Sequence, residues 1–255
     1  MTKPEITFIM PALNEAHNIE LAITNSMEAF KRFGVNGEVL VINDGSTDQT
    51  GALINKAIAK YGEAVRTITH AQPMGIGASF WDGVDAARGE LVVTMPGDNE
   101  NDPDEILRYH KLLSHVDLVI PFVFNKEVRS LFRNFLSLTY RFIINTTFMV
   151  YFNYTNGTIL YRRSILQTLT HRSHGFFFQT DILIRLVKAG YLFAEVPYRL
   201  QFRKKGISKA VSFPSLLQVM KGYLRLVKEI YFDKKPTDVA AFSKGSQTAE
   251  RRTKS

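Results

Sequence analysis

Apolar and polar positions alternate between two periods along the first half of this chain. Ile6-Thr7-Phe8-Ile9-Met10 is a short apolar run ended by Pro11 and reads as a strand. Pro11-Ala12-Leu13-Asn14-Glu15 then opens a helical pattern that carries Ile19, Ala22, Ile23 and Phe30 on one face. Val39 to Ile42 is a second, β-branched run, followed by a helix through Ala52, Leu53, Ala57 and Ile58 to about Tyr61. Ala64 to Thr69 predicts a third strand, Ala78 to Ala87 a helix, Leu91 to Met95 a fourth strand and Val116 to Pro121 a fifth. Strands alternating with helices at this spacing predict an α/β domain with a mostly parallel central sheet.

The second half is more apolar. Residues 129–152 hold Phe135, Leu136, Leu138, Phe142, Ile143, Ile144, Phe148, Met149 and Val150, punctuated by Arg129, Arg133 and Arg141. Roughly 18 residues is near the lower limit for a membrane span, and Arg141 at mid-stretch argues against spanning. A helix lying in the membrane interface fits better, with a core helix or an oligomer contact as the other reading. Residues 212–232 repeat the theme as an amphipathic helix, with Leu216, Leu217, Met220 and Leu224 among Lys221, Arg225 and Lys228. It suits an anionic membrane surface, packing on the fold or a membrane-protein partner. The polar stretch 233–255 reads as a disordered tail, which leaves 1–211 as the globular domain.

Charge narrows the partner. The formal net charge of +8 favours an anionic one, such as a phosphate or a lipid headgroup. The chain has no cysteine, so disulfides and thiolate metal or redox chemistry are excluded. Its six histidines lack metal-ligand spacing, and no nucleophilic triad or nucleic-acid signature is present. The amino terminus enters a strand without a secretory apolar region, in keeping with a cytoplasmic chain attached peripherally to the cytosolic membrane face.

Candidate chemistry lies where strands end. Asn43-Asp44-Gly45-Ser46-Thr47-Asp48 follows the second strand, where open α/β sheets bind ligands, although a capped turn accounts for the same residues. The fourth strand ends in Pro96-Gly97-Asp98-Asn99-Glu100. Asp98 and Glu100 there can share a hard divalent cation, or form an acidic turn before a helix capped by Asp102. Pro73-Met74-Gly75-Ile76-Gly77 is only loosely like a dinucleotide loop. Asp181 sits in the first turn of a helix opened by Phe176-Phe177-Phe178-Gln179-Thr180, where it also complements the helix dipole.

Together, Pro11-Ala12-Leu13-Asn14-Glu15, Asn43-Asp44-Gly45-Ser46-Thr47-Asp48 and a strand ending in Asp98 resemble the inverting family 2 glycosyltransferases of GT-A fold. Phe202-Arg203-Lys204-Lys205-Gly206-Ile207-Ser208-Lys209 resembles the F-R-x-x-G-x-S-K loop of members that glycosylate polyprenyl phosphates, including dolichol-phosphate mannosyltransferases. The resemblance implies that Pro11, Ala12, Asn14, Glu15, Asp44, Gly45 and Ser46 hold the nucleotide of a nucleoside diphosphate sugar. It implies that Asp98, with Glu100, holds Mg²⁺ or Mn²⁺, and that Arg129, Arg133, Arg203 and Lys209 bind the acceptor phosphate and donor diphosphate. Pro96-Gly97-Asp98 departs from the family's D-x-D, and Asn43 stands where many members carry an acid. Two alternatives stay open: transfer to a sugar hydroxyl with Asp181 as base, and a non-catalytic membrane-associated module on the same scaffold.

Overall fold

The computed structural model describes residues 3–125, 127, 131–200, 213–233 and 242–253. Three strand–helix units open the chain: β1 (Ile6–Ala12) with α1 (Ile19–Phe33), β2 (Gly37–Asn43) with α2 (Thr50–Tyr61), and β3 (Val65–Thr69) with α3 (Ile76–Ala86). β4 (Leu91–Thr94), α4 (Pro103–Leu107), β5 (Leu118–Val123) and α5 (Leu131–Phe148) follow. Then come β6 (Leu160–Arg162), α6 (Arg163–Leu166), α7 (Phe178–Lys188), β7 (Phe193–Tyr198), α8 (Phe213–Tyr231) and α9 (Gln247–Thr253).

The strands form one sheet of order β3-β2-β1-β4-β6-β5-β7. β6 runs antiparallel to both of its neighbours and the other pairs are parallel. The mostly parallel sheet is thus as expected, with one reversed strand between β4 and β5. Both faces are covered, so the central strands are apolar at consecutive positions. On one face Phe8, Met10, Val39, Val41 and Val93 pack with Ile19, Ile23 and Phe30 of α1. On the other, Ile9, Leu40, Ile42 and Val92 pack with Phe80, Trp81, Phe178 and Ile182 of α3 and α7.

Two local differences from the sequence reading have clear causes. α1 starts at Ile19 rather than near Asn14, because Pro11 continues β1 and Asn14 adopts a left-handed φ of 57°. The stretch 233–255 was expected to be disordered, yet residues 242–253 dock on the fold. Asp117, fully buried at the start of β5, needs partners for its carboxylate and finds them in this stretch. Its oxygens accept from the Gln247 N–H (2.6 Å), the Thr248 N–H (3.1 Å) and the Thr248 hydroxyl.

Asp102 caps α4 as anticipated, its side chain accepting from the Asp104 N–H at 2.9 Å with Pro103 at the first helical position. No helix among the described residues is long and apolar enough to cross a membrane.

Candidate active site

The loops after β1, β2 and β4 meet at the carboxyl edge of the sheet and are knitted together. The Asp44 N–H donates to the Ala12 carbonyl (2.9 Å), and the Gly97 N–H donates to the Pro11 carbonyl (3.0 Å). The Asn14 N–H donates to Ser46 Oγ (3.0 Å), while Asn14 Oδ1 accepts from the Thr47 N–H (2.9 Å). The Glu15 and Ala16 N–H groups donate to Thr50 Oγ1 (2.8 Å) and Asp48 Oδ2 (3.2 Å). The Thr50 hydroxyl, donating to Asp48, holds that carboxyl below its usual range. The Glu15 carboxylate accepts from Asn18 Nδ2 at 3.0 Å. Much of the hydrogen-bonding capacity of Pro11, Ala12, Asn14, Glu15 and Ser46 therefore joins loop to loop.

Asp44 is the centre of a clamp. Its buried carboxylate accepts from the Met74 N–H (2.8 Å) and the Gly75 N–H (2.9 Å), and Oδ1 lies 2.7 Å from His70 Nδ1. The other imidazole nitrogen is 3.0 Å from Asp82 Oδ2 on α3. These contacts pin the glycine-containing loop 72–77 against the end of β2. Gly45 permits the close approach: a Cβ there would lie 2.7 Å from the Gln72 carbonyl carbon and 2.8 Å from the Pro73 nitrogen. Sequence reasoning missed His70, and spacing gives no signal for it. Its one visible trait is a position immediately after β3.

A cavity of about 230 Å³ opens beside the β4 turn. Thr94, Glu100, Asn101, Arg133, Asn156 and Gln179 supply much of its polar lining. Asn101 Oδ1 accepts from the Tyr198 hydroxyl (2.9 Å), and Gln179 Nε2 donates to the Gly157 carbonyl (2.5 Å). Arg133 and Glu100 both line this cavity. Asp98 lies on the same turn, half-buried, with Oδ1 accepting from the Glu100 N–H at 3.1 Å. Two carboxylates on one turn are hard oxygen donors of the kind Mg²⁺ takes, with substrate phosphates completing the shell. The described residues hold no cluster of three or more metal-ligating side chains. Arg129, Arg203 and Lys209 lie outside the described residues.

Asp181 is placed elsewhere. It is buried, does not line the cavity, and both its oxygens are 3.1 Å from Arg185 Nε. Arg185 also pairs with Glu229 of α8. Burial pushes the Asp181 carboxyl above its ordinary value, and the Arg185 guanidinium opposes that shift. This carboxylate is built into the α7–α8 contact and does not face the cavity.

A mostly parallel sheet with knitted loops at its carboxyl edge and an acidic turn after β4 is the GT-A architecture. Residues 7–170 match the family described as Glycosyl transferase family 2, more than half of the chain, and the protein belongs to that family. The fold aligns with glucosyl-3-phosphoglycerate synthase from Mycobacterium tuberculosis, solved with uridine diphosphate, at a TM-score of 0.66 and 21% identity, covering 88% of this chain and 80% of that one. The same synthase has been solved with Mn²⁺ and uridine diphosphate, and with Mg²⁺ and uridine diphosphate.

Polyprenol monophosphomannose synthase of Mycolicibacterium smegmatis is 29% identical over 219 residues, 79% of each chain. Dodecaprenyl-phosphate galacturonate synthase of Rhizobium johnstonii is 31% identical over 102 residues, 40% of this chain and 30% of that relative's length.

Proposed function

We propose that this protein transfers a sugar from a nucleoside diphosphate sugar to a polyprenyl phosphate at the cytosolic face of a membrane. The observation that carries the reading is the placement of α5. Arg133 of this helix lines the cavity beside the acidic turn, while Leu131, Phe132, Phe135 and Phe142 of the same helix are exposed. One helix then meets a lipid's phosphate at the cavity and its hydrocarbon outside. α8 adds exposed Leu216, Leu217, Met220 and Leu224, and is tied to α5 by the Tyr223 hydroxyl at 2.8 Å from Thr147 Oγ1. An open groove of about 920 Å³ runs past Leu138, Phe142 and Met149. Apolar faces bordered by Arg133, Lys221, Arg225 and Lys228 suit an anionic bilayer surface. The two polyprenyl-phosphate relatives support the same acceptor class.

In the proposed reaction an acceptor phosphate oxygen attacks the sugar's anomeric carbon. The bond from that carbon to the donor diphosphate breaks, and the nucleoside diphosphate leaves with the electron pair. The configuration inverts. A phosphate monoester is largely ionised near neutral pH, with a second pKa of about 6, so it needs no protein base. The position of Asp181 away from the cavity agrees with a base-free reaction and counts against the hydroxyl-acceptor alternative. Asp98 and Glu100 would hold Mg²⁺ or Mn²⁺. The ion would supply positive charge for the departing diphosphate. Asp44 and its clamp would shape the nucleotide side, and Arg133 would orient the acceptor phosphate.

The test is a donor panel with purified protein, Mg²⁺ or Mn²⁺, and a short polyprenyl phosphate in detergent. A sugar–lipid product that is lost in Asp98→Ala is the expected result. Donor turnover with sugar-hydroxyl acceptors and none with the lipid phosphate would overturn the assignment.

A further inference from the structure

Thr94 closes β4, a strand whose Leu91, Val92 and Val93 are all buried. It shares a face with Val92 in the cluster that also contains Phe80 and Phe178. Its residue exposure is 2%, it lines the 230 Å³ cavity, and its hydroxyl has no hydrogen-bond partner among the described residues. A buried hydroxyl without a partner costs about 1–3 kcal/mol. An aliphatic β-branched residue would fill the strand position at no such cost. The amides around it each have a partner for one polar atom: Asn101 Oδ1 accepts from Tyr198, Gln179 Nε2 donates to Gly157, and Asn156 Oδ1 lies 3.5 Å from Thr180 Oγ1. Among the residues lining the cavity, the Thr94 hydroxyl is the buried side-chain polar atom left without a partner among the described residues.

We infer that Thr94 reads a hydroxyl of the transferred sugar and is a specificity-determining residue for the donor. The inference rests on the sugar-transfer reading and adds which atom recognises the sugar. At about 30 Å³ per water in the liquid, the cavity equals roughly eight waters, the scale of one sugar ring. Its wall carries neutral polar groups in Thr94, Asn101, Asn156, Thr158 and Gln179, and exposed Arg133 lies at its rim. That lining suits an uncharged pyranose, whose hydroxyls both donate and accept. The acidic turn stands at the same wall, so a sugar seated over Thr94 has its diphosphate beside Asp98 and Glu100.

The experiment titrates UDP- and GDP-hexoses, and free UDP and GDP, into full-length wild type, Thr94→Val and Thr94→Ser. Thr94→Val keeps the shape and removes the hydroxyl. It should weaken binding of the preferred hexose nucleotide about five- to tenfold, one neutral hydrogen bond's worth. It should leave the matching free nucleoside diphosphate unchanged and the melting temperature unchanged or raised. Thr94→Ser, which retains the hydroxyl, should recover most of the lost hexose-nucleotide binding. Equal weakening of both ligands, weakening of neither, absence of binding by wild type, or a melting temperature lowered by Thr94→Val each overturn the inference. Lipid product is scored in a separate assay, so a wrong acceptor assignment leaves this readout intact.

Discussion

Gly45→Ala tests whether the clamp on the 72–77 loop is as tight as its geometry indicates. Gly45 has φ of 73°, and an added Cβ would meet Gln72 and Pro73 main-chain atoms at 2.7–2.9 Å. Both contacts are backbone, so they cannot be relieved by a rotamer change. A left-handed alanine costs about 1–2 kcal/mol. Displacing the loop adds an overpacking cost of about 1–3 kcal/mol. A central loss of about 3 kcal/mol corresponds to a melting temperature lowered by about 6–12 °C for a chain of this size.

Gly34→Ala is the internal control. Gly34 also has positive φ, 64°, but nothing lies within 4 Å of its Cβ position. It should show the left-handed cost alone, about 1–2 kcal/mol. Urea unfolding of the two variants beside wild type therefore isolates the clash. Nucleoside diphosphate binding should weaken in Gly45→Ala and stay intact in Gly34→Ala, since only the former displaces the loop that Asp44 holds. Equal destabilisation by the two substitutions would refute the close Gly45–Gln72 approach and the argument built on it.

Other expectations follow from the same geometry. Asp181→Asn should retain turnover within about threefold, whereas removing a general base costs about 10²–10⁴; a collapse of that size with intact donor binding would restore the hydroxyl-acceptor reading. Burial raises the folded-state pKa of Asp181 above the ordinary aspartate value. Its stability contribution is therefore fully present below the unfolded pKa and lost as pH rises through the folded value. Urea unfolding against pH should show that downward slope in wild type and lack it in Asp181→Asn. Phe142→Glu with Leu224→Glu, at side chains that are 67% and 57% exposed, should leave folding intact. Each large apolar group inserted in lipid is worth about 1.5–3 kcal/mol, so flotation on anionic vesicles should fall at least ~100-fold. Unchanged vesicle binding would remove these helices from the membrane contact.

The parts of this molecule that were legible in sequence are those written locally. The runs Phe8-Ile9-Met10 and Val39-Leu40-Val41-Ile42 declare strands covered on both faces, and Asp102-Pro103 declares a helix start. The three loop motifs declared an edge of the sheet, and that edge is where they meet. Relations across long separations were hidden. Asp117 and Thr248 are 131 positions apart, and nothing near either announces that one satisfies the other. His70 meets Asp44 and Asp82 only after β3 and α3 have packed. Thr94 looked like one more β-branched strand residue, and its significance rests on a missing partner, which sequence does not record. The role of Asp181 stayed open in the sequence for a related reason. An acid in a helix's first turn has the same appearance whether it faces a cavity or the Arg185 guanidinium one turn further on.

The Asp181–Arg185–Glu229 group has a structural task that burial of apolar surface cannot perform for α8. Among the described side chains of this helix only Leu226 is fully buried, while Leu216, Leu217, Met220 and Leu224 are exposed. A helix with apolar residues around much of its circumference can dock by more than one face, because hydrophobic contact is non-directional. Removing charges from water to form a buried pair costs several kcal/mol per ion, so the pair is a poor source of net stability. It is directional, however: Glu229 meets Arg185 in one rotation and one register of α8. Gly222 adds a steric condition, since a Cβ there would lie 2.7 Å from the Phe177 ring. Charge and shape thus fix which face of α8 turns inward and which stays exposed. The element that receives both contacts is α7, with Phe177 just before it and Phe178 and Gln179 on its first turn lining the cavity. Orienting α8 and lining the cavity are therefore performed by the same two turns of chain.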